Sequence, residues 1–342
     1  MSHLVSRPSP TTRAVRHVTL SVLAVLILLT AGCRNPIYLL AQPARLWVSV
    51  PAQRRIFELD REGLRSTLGQ VWLEAGATRM AWSPVMRQVV AIQPEARSVA
   101  IVDAGTLRVT RTVGVGGSPS DVAIGTSGLT AHVLLPDERA VALVDLRSGR
   151  IQRVALSPSG ARPVVLACPR QAQDESWIVA EDGRLEIVRD GALQAAPVPV
   201  TGSIRPVRAV PDSNGGIVLL DTGRAALVRL ASARGDSATL VSIGTVTGGG
   251  QPADLAVAPD GKAAVSFPDA GRIVLIETDG RSQSYASGAN GARSLVADAR
   301  GLHVAHEGPN QVFALTWSGS TLLAARWVDT LPGPPVAAVA LD

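Results

Sequence analysis

Residues 130–149 read TAHVLLPDERAVALVDLRSG. Two short apolar runs flank the polar turn PDER, and a second turn, RSG, closes the stretch. The runs are too short for a stable helix, rich in Val and Leu, and bounded by turn formers. They read as two strands of an antiparallel hairpin.

Looser copies of this stretch fill the chain after Arg45. GATRMAWSPVMRQVVAIQPEARSVAIVD begins at Gly76, and GQPADLAVAPDGKAAVSFPDAGRIVLIE begins at Gly250. Further copies begin at Gly117, Gly160, Gly202 and Gly291. The starts lie roughly 40–50 residues apart, the period of propeller blades. Each unit has an opening run such as DVAI or DLAV, then a second such as HVLL or IVLL. A third ends near an acid, as in VALVD and IVLIE, and a variable fourth, such as RVTRTVGV, completes it. Four short strands with tight turns make one antiparallel sheet.

Such a sheet has two apolar faces and cannot bury itself. Stacking sheets around a common axis buries both faces and shields the edges. The chain ends complete the ring. GPPVAAVALD, residues 333–342, resembles the opening run of a unit, and LWVSVPAQRRIFELDREG, residues 46–63, is a unit that lacks one. Six units and this composite predict an all-β, seven-bladed β-propeller over residues 46–342, closed by strands from both termini.

The pattern G-x-P-x-x-h-A-h-x-x-x-G followed by h-h-D-x-x-x-G resembles the YVTN-repeat (YncE-like) β-propellers. It is clearest in GSPSDVAIGTSGLTAHVLLPDERAVALVDLRSGRI and GQPADLAVAPDGKAAVSFPDAGRIVLIETDGR. The YVTN tetrapeptide itself is replaced by HVLL and AVSF. The resemblance implies the fold more than any activity, because members include exported binding and surface proteins.

The N-terminus reads as an address. Residues 1–17 carry Arg7, Arg13 and Arg16, VTLSVLAVLILL spans Val18–Leu29, and TAGC follows. A basic segment, a short apolar core and small residues at a cut site describe a secretory signal. The apolar run is shorter than the roughly 20 residues a spanning helix needs. LTAGC resembles the bacterial lipobox. That resemblance implies a signal peptide over residues 1–32 and a diacylglycerol, with palmitate-type chains, on Cys33. Arg34, in place of aspartate, implies the outer membrane of a Gram-negative host, on its periplasmic side. Residues 33–45 then form a tether. The alternative is an uncleaved anchor with Cys33 unmodified. In either case the bulk of the chain is exported, and Cys168 has no partner for a disulfide framework.

Removing residues 1–32, with three arginines and no acid, leaves +2 of the formal +5. That charge, with 3% aromatic residues, gives no case for a nucleic-acid partner. In a propeller the opening run lies nearest the axis, so the residues entering it approach one channel mouth. These are Arg79, Asp121, Arg162, Arg205, Asp254 and Arg293. Guanidinium groups there could bind a polar or anionic ligand; the alternative is that these charges pair with one another or hold loop backbone.

No HExxH, paired CxxC, CxxCH or GxSxG motif is present. His303 and His306, three apart on a strand, face opposite sides and predict no shared metal. TGGGQP, residues 247–252, precedes a strand and reads as an inter-blade turn, not a phosphate loop. The expectation is a lipid-anchored, non-catalytic binding or scaffold protein of the cell envelope, needing no cofactor. Its partner would be a protein, a peptide or an envelope polymer. The alternative is a lactonase-like propeller hydrolase, with axial acids around a divalent metal.

Overall fold

Seven antiparallel sheets account for every strand among the described residues. The computed structural model describes residues 45–60, 67–158, 161–170, 174–194, 198–199, 204–212, 215–231, 239–318, 321–327 and 330–341. Cys33, the signal and almost all of the tether lie outside the described residues. Among the described residues the one helix is a single 3-10 turn, Pro51–Gln53. No described helix is long and apolar enough to cross a membrane.

Blade 1 is the composite: Ala337–Leu341 is innermost, followed by Arg45–Val50, Arg55–Asp60 and Thr67–Trp72. Blade 2 runs Arg79–Ser83, Gln88–Gln93, Ser98–Asp103 and Arg108–Gly114. Blade 3 runs Asp121–Ile124, Thr130–Leu135, Ala140–Asp145 and Ile151–Ala155. Blade 4 runs Pro163–Ala167, Glu175–Ala180 and Arg184–Arg189, with its outer edge in two short pieces, Ala192–Leu193 and Val198–Pro199. Blade 5 runs Pro206–Pro211, Ile217–Asp221, Ala226–Ala231 and Thr239–Thr245. Blade 6 runs Asp254–Val257, Ala263–Phe267, Arg272–Ile276 and Ser282–Ala286. Blade 7 runs Ala292–Ala297, Gly301–His306, Gln311–Ser318 and Thr321–Trp327. Each innermost strand touches the next, from blade 1 round to blade 7 and back, so the ring is closed.

The core lies between the blades. Seven apolar clusters fill the seven seams. Side chains alternate along a strand. Val90 and Ile92 therefore pack towards blade 3, while Val89 and Ala91 pack towards blade 1. This is why the second runs read as unbroken apolar stretches: both faces are buried. Burying one Val or Leu contributes about 1.5–3 kcal/mol. Even the smaller seams hold eight buried apolar residues, so blades that are marginal alone stabilise one another.

The turn PDER recurs as a backbone device. Arg139 takes φ 45°, and Arg54, Arg97, Ala225 and Asn310 take 53°, 50°, 46° and 57° at the same place in blades 1, 2, 5 and 7. Glycines, Gly183 and Gly271, fill it in blades 4 and 6. A left-handed residue costs roughly 1–2 kcal/mol when it has a Cβ. In return the carbonyls of Arg54, Arg97, Arg139 and Ala225 accept N–H bonds from Leu73, Val115, Leu156 and Val246, where the chain leaves for the next blade. The Arg139 guanidinium also bonds the carbonyls of Ser157 and Ala161, tying blade 3 to the strand-entry loop of blade 4. TGGGQP is an inter-blade turn, as expected. A Cβ at Gly248 would lie 2.2 Å from the Phe267 ring, so that seam requires glycine there.

Candidate functional site

The residues nearest the axis follow from strand register. Arg79, Asp121 and Asp254 pair with Ile92, Leu134 and Ser266, each next to last in the second strand of its blade. In blades 4, 5 and 7 a bulge interrupts this pairing. The equivalent residues there are Val165, Arg208 and Ser294, opposite Val179, Leu220 and Ala305. In blade 1 the equivalent is Ala337, opposite Ser49. The axial ring therefore carries four charges: Arg79, Asp121, Arg208 and Asp254.

These four meet across the centre. Arg208 Nη1 lies 3.0 Å from Asp121 Oδ1, and Arg208 Nε lies 2.9 Å from Asp254 Oδ1. Arg79 Nη1 is 3.6 Å from the same Asp254 oxygen. They come from blades 2, 3, 5 and 6, so blade 5 is linked to blade 3 past the intervening blade 4. Contacts of this kind form only through the channel. The second carboxylate oxygens hold the neighbouring blades. Asp121 Oδ2 accepts the Leu166 N–H at 3.2 Å, and Asp254 Oδ2 accepts the Leu295 N–H at 2.9 Å.

The charges balance but the two arginines do not share equally. Burial works to lower Arg208, yet Asp121 and Asp254 outweigh it and hold the guanidinium above its usual value. Arg79 is held below its usual value, chiefly by repulsion from Arg208 and then by its own burial. Its side chain is 25% exposed, against 7% for Asp121 and 2% for Asp254. The channel thus presents an arginine whose nearest carboxylate is already taken.

The sequence-derived set divides in two. Arg79, Asp121 and Asp254 are brought together. Arg162, Arg205 and Arg293 precede or sit within the bulges and stay outside the cluster. Arg162 pairs with Asp137 at 3.0 Å on the surface. Arg205 is exposed, and its backbone N–H donates to Asp221 Oδ1. Arg293 bonds Glu307 at 2.5 Å. Arg208, three residues beyond Arg205, is the axial arginine that the strand-entry rule missed. The only signal for it was the R-x-x-R spacing around Pro206.

Other polar groups are engaged in turns or packing. Asp103 and Asp145 each accept backbone N–H and hydroxyl bonds from Thr106 and Ser148, as turn residues do. Those bonds hold both carboxyls below the usual range. His303 Nε2 lies 3.5 Å from Asp298 Oδ2, whereas the His306 ring packs edge-on to Phe313. Among the described residues no three His, Cys, Asp or Glu side chains converge as a metal site. Cys168 is buried and unpaired, and burial pushes its thiol well above the usual range.

No protein-family model matches the chain, and no curated protein sequence matches it. Solved structures do. A protein from Lactobacillus plantarum superposes with a TM-score of 0.71 at 13% identity, covering 87% of this chain and 99% of that one. Apo AztD from Citrobacter koseri gives 0.65 at 12% identity over 87% and 98%. A catalytically inactive H270A virginiamycin B lyase from Staphylococcus aureus, with quinupristin, gives 0.63 at 14% identity over 86% and 92%. At such identities the likeness is one of fold, and the chain shares with these proteins a β-propeller.

Proposed function

We propose that this chain is an exported β-propeller of the YVTN-repeat type, anchored to the cell envelope through acylated Cys33. It acts there as a non-catalytic binding or scaffold protein. The observation that carries the binding reading is the partly exposed Arg79 side chain, which competes with Arg208 for one Asp254 oxygen. A carboxylate or phosphate entering the channel mouth would relieve the arginine–arginine repulsion and use the free edge of the fork. An acidic protein segment, peptide or envelope polymer fits that chemistry. The hydrolase alternative needs free axial acids, and Asp121 and Asp254 are both engaged by Arg208.

The test is affinity capture from envelope extracts, comparing wild type with Arg79→Ala. One partner retained by wild type and lost by the variant supports the reading. Identical captures, or none after crosslinking, would refute it. The anchor is tested separately, by labelling with an alkyne fatty acid: label must enter wild type and not Cys33→Ala.

A further inference from the structure

A second cleft lies on the opposite face, where the turns between strands 1 and 2 and between strands 3 and 4 gather. It opens between blades 3 and 4 and has a volume of about 450 Å³. That is within the usual range for small-molecule sites, about 300–1,000 Å³. His132 reaches it from the second strand of blade 3, and Asp174 from the turn before the second strand of blade 4.

His132 is 1% exposed, and neither ring nitrogen has a hydrogen-bond partner among the described residues. Buried polar groups are rarely left so. The same strand position, fourth from the end, shows what is unusual. Blade 1 has Trp47 there, bonded to Glu58, and blade 4 has Trp177, bonded to Glu175. Blade 7 has His303, beside Asp298. Each of these rings has an acid from its own blade. In blade 3 the place matching Asp298 holds Gly125. A Cβ at Gly125 would lie 2.5 Å from Asp174 Oδ1 and 3.0 Å from His132 Nε2. The two atoms are therefore no more than about 5.5 Å apart, within reach of one bridging donor group. Asp174 Oδ1 accepts from Ser127, and Oδ2 makes no hydrogen bond among the described residues.

The walls define the ligand. Leu143 and Ile151 form an apolar side, and Asp145 and Asp190 add two carboxylates to that of Asp174, against one guanidinium, Arg150. A site with excess negative charge and a neutral imidazole acceptor suits a group with several N–H donors and a positive charge. We propose that this cleft binds a small organic cation, with its alkyl part on Leu143 and Ile151 and its ammonium between Asp174 and His132. The site is independent of the channel mouth, and its ligand has the opposite charge.

The experiment is calorimetric titration of the full chain in detergent with n-butylammonium, and with butyrate as the anion of matched shape. The expected result is saturable binding of the amine at one site and none of butyrate. Asp174→Asn should weaken it by about tenfold or more. Ile151→Ser, a change at an exposed strand position, should weaken it several-fold without threatening the fold. N-acetyl-lysine amide distinguishes the sources. If it binds comparably, the natural ligand is a lysine side chain of a protein; if only the free alkylamine binds, it is a diffusible amine. No saturation by about 10 mM, equal binding of butyrate, an unchanged affinity in both variants, or displacement of the amine by stoichiometric zinc would overturn the proposal.

Discussion

Replacing Arg208 with methionine tests whether the axial cluster holds the ring together. Methionine keeps most of the side-chain length and removes the charge. It leaves Asp121 and Asp254, which are 5% and 1% exposed, without their closest cation. At separations near 3 Å each pair is worth about 5 kcal/mol of gross attraction at an effective dielectric constant of 20. Desolvation offsets most of that gain, but removing one partner does not return the remaining acids to water. The expected loss is about 3–5 kcal/mol. The assay is urea unfolding at pH 7 followed by tryptophan fluorescence, read as a shift of midpoint at constant slope. The same substitution with Asp121→Asn and Asp254→Asn should recover most of the loss. The amide oxygens can still accept the Leu166 and Leu295 N–H bonds, both buried carboxylates are gone, and the one charge left, Arg79, has a side chain that is 25% exposed. A single-variant loss below about 1 kcal/mol, the scale of an exposed pair, would refute the argument. So would an equal loss in the two-asparagine background, since that would mean no coupling.

Burial pushes His132 down to about 4, with Asp174 pulling partly the other way. Its contribution to stability is therefore complete above pH 6.5 and declines as pH falls towards 4, by about 3 kcal/mol in total. Melting temperatures of wild type and His132→Gln between pH 7 and 4 should converge as the pH is lowered; parallel curves would contradict this. Gly248→Ala drives a methyl into the Phe267 ring and should cost about 1–3 kcal/mol, partly recovered by Phe267→Leu. Thermal unfolding of the single and double variants measures both effects. Cys168, buried and with its thiol value raised, should resist thiol reagents in the native Cys33→Ser chain and react once urea unfolds it. Labelling at the same rate with and without urea would contradict that burial.

Three of the four axial charges are legible in the sequence, and the fourth is not. Arg79, Asp121 and Asp254 were legible because blades 2, 3 and 6 enter their inner strands without a bulge, so counting from the glycine turn gives the right residue. Arg208 was not legible. Pro206 begins its strand, and the bulge that follows shifts the register, so the count stops at Arg205. The cleft at His132 was equally hidden. The histidine stands in an apolar run like a core residue, and its acid comes from the next blade, 42 residues away.

By itself the chain order determined the repeat, the four-strand blade and the clasp of both ends. Each of these is written locally, in short apolar runs that must bury two faces and in turns that permit only a hairpin. Only the closed ring decided which charges meet. Arg79, Asp121, Arg208 and Asp254 are far apart in sequence and lie on four different blades. Their contact exists because seven stacked sheets leave a narrow centre in which opposite charges are forced together.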